Sequence, residues 1–185
     1  MFQSMKIKIA LASLLIVLLP LEVSACSRTG NSPMVESFQW GRYYAKSVPL
    51  EVRGSDGKTE IYKVESENDE LIDAYNWYSP HGYLSFAIPL NVERNIAVAR
   101  FDRDAEDKIL TFYLAGRELI SYSRAELRQI GDRSWLSTCG NGITLRLLET
   151  YKPPGTNDVY FQVEFSSGDV KYFDIETGLV SEISF

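Results

Sequence analysis

Residues 159–165 read Val-Tyr-Phe-Gln-Val-Glu-Phe, with every odd position apolar and the even positions polar or amphipathic. A period of two fits only a pleated strand, whose successive side chains point to opposite faces, so the odd face must be buried in a sheet. Ser167-Gly168-Asp169 and Glu176-Thr177-Gly178 then read as tight turns, and 158–184 is expected to form a three-stranded antiparallel meander.

A similar meander is written in 95–122, with turns at 104–107 and at Ala115-Gly116. Its run 109–114 is apolar at both parities, which suits a strand in the middle of a packed sheet. Short runs rich in β-branched and aromatic residues place further strands at 37–46, 49–53, 59–65, 71–78, 83–88, 95–101, 108–115 and 118–122. Others are expected at 143–150, 158–166, 169–174 and 179–184. Ser123-Arg124-Ala125-Glu126 has the spacing of a capping box, with Leu127 and Ile130 following on one face, so one short helix is expected, ending near Gly131. The expected fold is mainly β: an antiparallel meander sheet or a two-sheet sandwich with one short edge helix. Residues 172–179 resemble the last two strands of a propeller blade. Four or more blades of about 40 residues would exceed this chain, which leaves an ordinary hairpin with a Thr-Gly turn.

The N-terminus has a different character. Lys6 and Lys8 precede an apolar run at 9–19, and small residues lead to Val23-Ser24-Ala25-Cys26, the layout of a secretory signal. Met5 offers a second start that gives a shorter signal. The run falls short of the ~20 apolar residues that a membrane span needs. The stretch from Leu21-Glu22 to Cys26 resembles the lipobox of bacterial lipoproteins. That resemblance implies a diacylglyceryl group on the Cys26 thiol and cleavage before Cys26, which becomes the new N-terminus. Ordinary secretory cleavage at the same bond, leaving Cys26 unmodified, is the alternative. The expected organisation is a signal over 1–25, a lipid-anchored flexible tether over 26–34 (small, polar and turn-forming after Cys26) and a single β-rich domain over 35–185. Ser27 after the anchor favours an outer membrane where there is one; a periplasmic or secreted product is the alternative.

Without residues 1–25 the chain carries 17 basic and 24 acidic side chains, a formal charge of −7. That balance argues against nucleic acid as a partner, since affinity there comes from cations neutralising phosphates. Only Cys26 and Cys139 are present, too few for a disulfide scaffold. Cys139 is expected to be a small buried hydrophobe; a Cys26–Cys139 bridge in an unlipidated product and a reactive thiol are the alternatives. His81, in Tyr78-Ser79-Pro80-His81-Gly82-Tyr83, is the sole histidine and reads as a solvent-facing turn residue. No standard catalytic string is present, and one histidine with one remaining cysteine cannot build a four-ligand zinc set, so neither a cofactor nor a structural metal is expected.

Two acidic stretches remain, Asp102-Arg103-Asp104-Ala105-Glu106-Asp107 and Glu65-Ser66-Glu67-Asn68-Asp69-Glu70. The first puts oxygen ligands at alternate positions but lacks the central Gly and bidentate Glu of a calcium loop, and reads as a solvated turn. Both could steer a cationic partner. The aromatics form the other candidate: Trp40, Tyr43, Tyr44, Tyr75, Trp77, Tyr78, Tyr83 and Phe86. Trp77, Tyr78 and Tyr83, around the Ser-Pro-His-Gly turn, are the expected partner-binding residues. The chain is thus expected to be a cell-envelope lipoprotein that binds a protein partner without catalysis, in the manner of immunity or inhibitor proteins. The alternative is an envelope hydrolase using carboxylates such as Asp102, Asp104 and Glu106 as acid and base.

Overall fold

The computed structural model describes residues 30–79, 83–89, 95–102, 105, 107–131, 145–165 and 167–183. Cys26, His81, Asp104, Glu106 and Cys139 lie outside them, and with them the expectations for the signal, the anchor and the paired carboxylates.

The chain is mainly β, as the alternating runs require, and its described residues form twelve strands in three antiparallel four-stranded sheets. The first sheet holds β1 (Met34–Phe38), β2 (Tyr43–Pro49), β3 (Gly57–Lys63) and β4 (Glu70–Tyr75). The second holds β5 (Leu84–Ala87), β6 (Ala97–Phe101), β7 (Leu110–Leu114) and β8 (Arg117–Tyr122). The third holds β9 (Leu145–Tyr151), β10 (Tyr160–Phe165), β11 (Val170–Asp174) and β12 (Val180–Ser181). Within each sheet the strands lie in chain order, so every connection is a local hairpin or loop. The hairpin at 172–179 closes the third meander, linking β11 to β12.

The second sheet is the middle layer. One of its faces, Ala97, Ala99, Phe101, Leu110 and Phe112, packs with Phe161, Val163, Phe165 and Phe173 of the third sheet. Its opposite face, Leu84, Phe86, Val98 and Tyr113, packs with Tyr43, Ala45, Ile61 and Tyr75 of the first. Two covered faces explain why 109–114 is apolar at both parities. Three sheets therefore stack where one sheet or a two-sheet sandwich was expected, because the middle sheet buries both of its faces. Phe112 stacks on Phe173 at 4.9 Å and meets Phe161 at 5.7 Å; truncating such a ring costs about 3–5 kcal/mol.

The helix α1 (Arg124–Ile130) follows β8, and both halves of the capping box form: Ser123 Oγ accepts from Glu126 N–H, and Glu126 accepts from Ser123 N–H. Leu127 is fully buried in the core between the second and third sheets. The hairpin between β7 and β8 turns on Ala115 (φ 50°) and Gly116 (φ 75°), the two positive values that a two-residue turn needs to match strand twist.

Two expectations are corrected. The strand foreseen at 37–46 is broken by a reversal at Gln39–Gly41 into β1 and β2. The strand foreseen at 49–53 is absent: β2 ends at Pro49, whose nitrogen has no hydrogen to donate, and 50–55 is a series of bends.

Candidate functional site

The reversal between β1 and β2 concentrates local strain and exposure. Gln39 (φ 50°), Trp40 (φ 56°, ψ 36°) and Gly41 (φ 83°) are three consecutive left-handed residues, two of them with a Cβ. Gln39 and Trp40 each cost of order 1 kcal/mol or more in this region, so the surrounding structure must hold them there. Phe38, at the base of the tip, supplies that hold by stacking on Phe86 at 4.5 Å and on Tyr43 at 5.6 Å, which fastens the hairpin to the middle sheet. The result is that Trp40 is 102% exposed, the most exposed large apolar side chain among the described residues.

The acidic stretch 65–70 lies beside this tip. Val64 donates its N–H to the Arg42 carbonyl at 2.9 Å, tying the β3–β4 loop to the β1–β2 reversal. The loop is ordered from within: Asp69 accepts from the Tyr44 hydroxyl at 2.8 Å and from Glu65 N–H at 3.3 Å, while Glu65 pairs with Lys63. The hydrogen bond to Asp69 raises the Tyr44 phenol above its ordinary range, so it stays a donor throughout the physiological range.

Register places Ser37, Tyr44, Tyr62 and Leu71 opposite one another across the four strands of the first sheet. Tyr44 and Tyr62 stack at 5.1 Å, and Leu71 is half exposed. This row of the first sheet thus carries a stacked aromatic pair beside a half-exposed leucine. On the other side of the tip, Gln39, Arg42 and Tyr43 line a cleft of about 270 Å³ with Ile88, Thr150 and Lys152. A second groove of about 490 Å³ shares Pro89 and Val159 with it and is walled by Asp158, Asp174 and Glu176.

The three aromatics named from sequence are placed differently. Tyr78 is 3% exposed, donates its hydroxyl to the Ser32 carbonyl at 3.0 Å, and approaches β3 so closely that a Cβ on Gly57 would lie 2.6 Å from its own. Trp77 is half-buried, stacked on Tyr75 at 4.8 Å and covered by the Arg100 guanidinium at 5.0 Å. Tyr83 is half-buried against Phe101 at 5.6 Å, on the opposite face of the middle sheet. Trp77 and Tyr83 therefore serve different inter-sheet layers, and the three do not form one exposed patch.

The carboxylates of the hydrolase reading are represented by Asp102, which accepts from Arg100 Nη2 at 2.6 Å with both side chains about nine-tenths buried. A separate polar cluster lies between the first and second sheets, where burial raises both Asp73 and Tyr113 above their ordinary ranges and Tyr75 well above its own. Among the described residues no three acidic, histidine or cysteine side chains converge as a metal-ligand set.

Comparison with protein-family models, with curated proteins and with solved structures finds no match for this chain.

Proposed function

We propose that this chain is an exported lipoprotein, held to a cell-envelope membrane through Cys26, whose domain binds a protein partner without catalysis at the pole built around Trp40. The observation that carries the binding reading is a fully exposed tryptophan presented on three consecutive left-handed residues and tied to an acidic loop. Strained backbone persists only where the surroundings over-determine it, and tryptophan is a preferred interface anchor. Trp40 takes the anchor role expected of Trp77, Tyr78 and Tyr83, because it has the exposure that an anchor requires. The 65–70 loop gives the pole its charge, so the partner presents an apolar socket rimmed by lysine or arginine, and salt weakens the encounter. The signal-like segment and the lipobox support the address, with outer-membrane placement favoured by Ser27.

The test is affinity capture from envelope extracts with wild type and Trp40→Ala, both verified as folded by circular dichroism. The proposal expects a partner recovered by wild type, lost at least tenfold with Trp40→Ala, and eluted by salt. Equal recovery by both proteins overturns the site.

A further inference from the structure

We infer that the 50–56 loop is a second membrane contact, seated on the bilayer surface beside the lipid anchor; this rests on the lipoprotein reading. Asn31 N–H donates to the Val52 carbonyl at 2.8 Å, and Asn31 Nδ2 donates to the carbonyls of Gly54 at 2.8 Å and Glu51 at 3.3 Å. Three bonds thus fix the tether to this loop, and Gly30 runs along it, where a Cβ would lie 3.0 Å from Val52 Cγ1. Between Asn31 and Cys26 lie five peptide steps, which span at most about 18 Å. A lipidated Cys26 has its acyl chains in the membrane, so the loop cannot stand farther from the interface than that reach allows.

At this point the chain exposes two aliphatic side chains, Leu50 at 79% and Val52 at 72%. Alone they would not bring a free protein to a membrane. Anchoring makes their contact intramolecular, and the high effective concentration lets a weak contact be occupied. The loop carries Glu51, Arg53 and Asp56, so it has no cationic surplus and its seating needs no anionic lipid. The seven residues of β2 separate the loop from the Trp40 reversal by about 20 Å, and seating the loop turns the Trp40 pole away from the membrane.

The experiment uses the full chain with Cys139→Ser, lipidated in cells and reconstituted into phosphatidylcholine vesicles, with and without phosphatidylglycerol. An environment-sensitive fluorophore is placed through Val52→Cys or, as the distal control, Glu67→Cys, and spin-labelled lipids quench it. The expected result is at least twofold stronger quenching at position 52 than at 67, equal in both lipid compositions and reduced by Leu50→Asp. Equal quenching at the two positions in protein whose mass shows the acyl group overturns the loop contact and leaves the anchor standing. An unmodified Cys26 by mass overturns the anchor reading and the loop contact with it. A spectral change at position 52 that occurs without spin-label quenching, together with cross-linked dimers, assigns the loop to a second copy of the chain instead.

Discussion

Val64 donates its backbone N–H to the carbonyl of Arg42 across 2.9 Å, and this bond joins the reversal that carries Trp40 to the loop that carries four carboxylates. Because it is main chain to main chain, the juxtaposition survives side-chain substitution on either segment. Trp40 and the acidic loop can therefore be varied independently.

Trp40→Gly separates strain from recognition. Glycine adopts a positive φ without the Cβ clash, and the exposed indole contributes no packing, so the substitution should raise stability by about 1 kcal/mol. Partner binding should fall together with that of Trp40→Ala. Urea unfolding checks the first effect; a destabilised Trp40→Gly would show that the indole packs in solution.

Trp77→Ala and Tyr78→Ala should act through folding. Trp77 packs between the first and second sheets, and Tyr78 is buried against Gly57 of β3 with its hydroxyl on Ser32, so the substitutions should cost about 3–5 kcal/mol each. The measurement is the urea midpoint at constant m-value. Midpoints equal to wild type would return these residues to the list of exposed anchors.

Arg100 sits between Trp77 and Asp102, with its guanidinium over the ring and Nη2 on the carboxylate. Arg100→Ala removes the 2.6 Å cation from a largely buried carboxylate and the cover from Trp77, and should cost about 1–3 kcal/mol. In Arg100→Ala/Asp102→Ala the combined cost should be smaller than the sum of the two single costs, because the two side chains are in direct contact. An additive double mutant would contradict the pairing.

Gly178 has φ 71°, and a Cβ there would stand 2.5 Å from Ile120 Cγ2 and 2.9 Å from Phe112 Cβ. Its carbonyl also accepts from the Tyr122 hydroxyl at 2.9 Å. Gly178→Ala should therefore destabilise by about 2–4 kcal/mol, from strain and overpacking together. A thermal melt indistinguishable from wild type would place this turn elsewhere.

At α1, the Ser123 hydroxyl and then the Ser123 N–H hold the Glu126 carboxyl below its ordinary range. Folding thus favours the charged form. Its contribution is complete above the ordinary glutamate pKa and is lost as pH falls through the lowered folded value. Melting temperature should fall more steeply for wild type than for Glu126→Gln between roughly pH 5 and pH 3. Parallel curves would mean that the box does not form in solution.

Much of this architecture is legible in the sequence because it is written locally. The Ser123–Glu126 spacing, the alternation at 159–165 and the doubly apolar 109–114 each state their own structure in fewer than eight residues. The reversal at Gln39–Gly41 does not. Trp40 is a poor left-handed residue by propensity, and only Gly41 hints at a turn, so 37–46 reads as one strand until the packing of Phe38 on Phe86 decides it. Exposure is less legible still, since tyrosine and tryptophan suit core and surface alike. Burial of Tyr78 depends on the 46-residue separation from Ser32, and the meeting of Trp40 with the 65–70 loop depends on strand pairing, which no local pattern encodes.

The most direct measurement of the central claim places a photo-crosslinking phenylalanine analogue at position 40 in the full chain in cells, and a second at exposed Glu176 as a control. The account predicts one discrete protein adduct in the membrane fraction from position 40, absent from position 176 and weakened when 65–70 is neutralised. No adduct at position 40, or the same adducts from both positions, would contradict it.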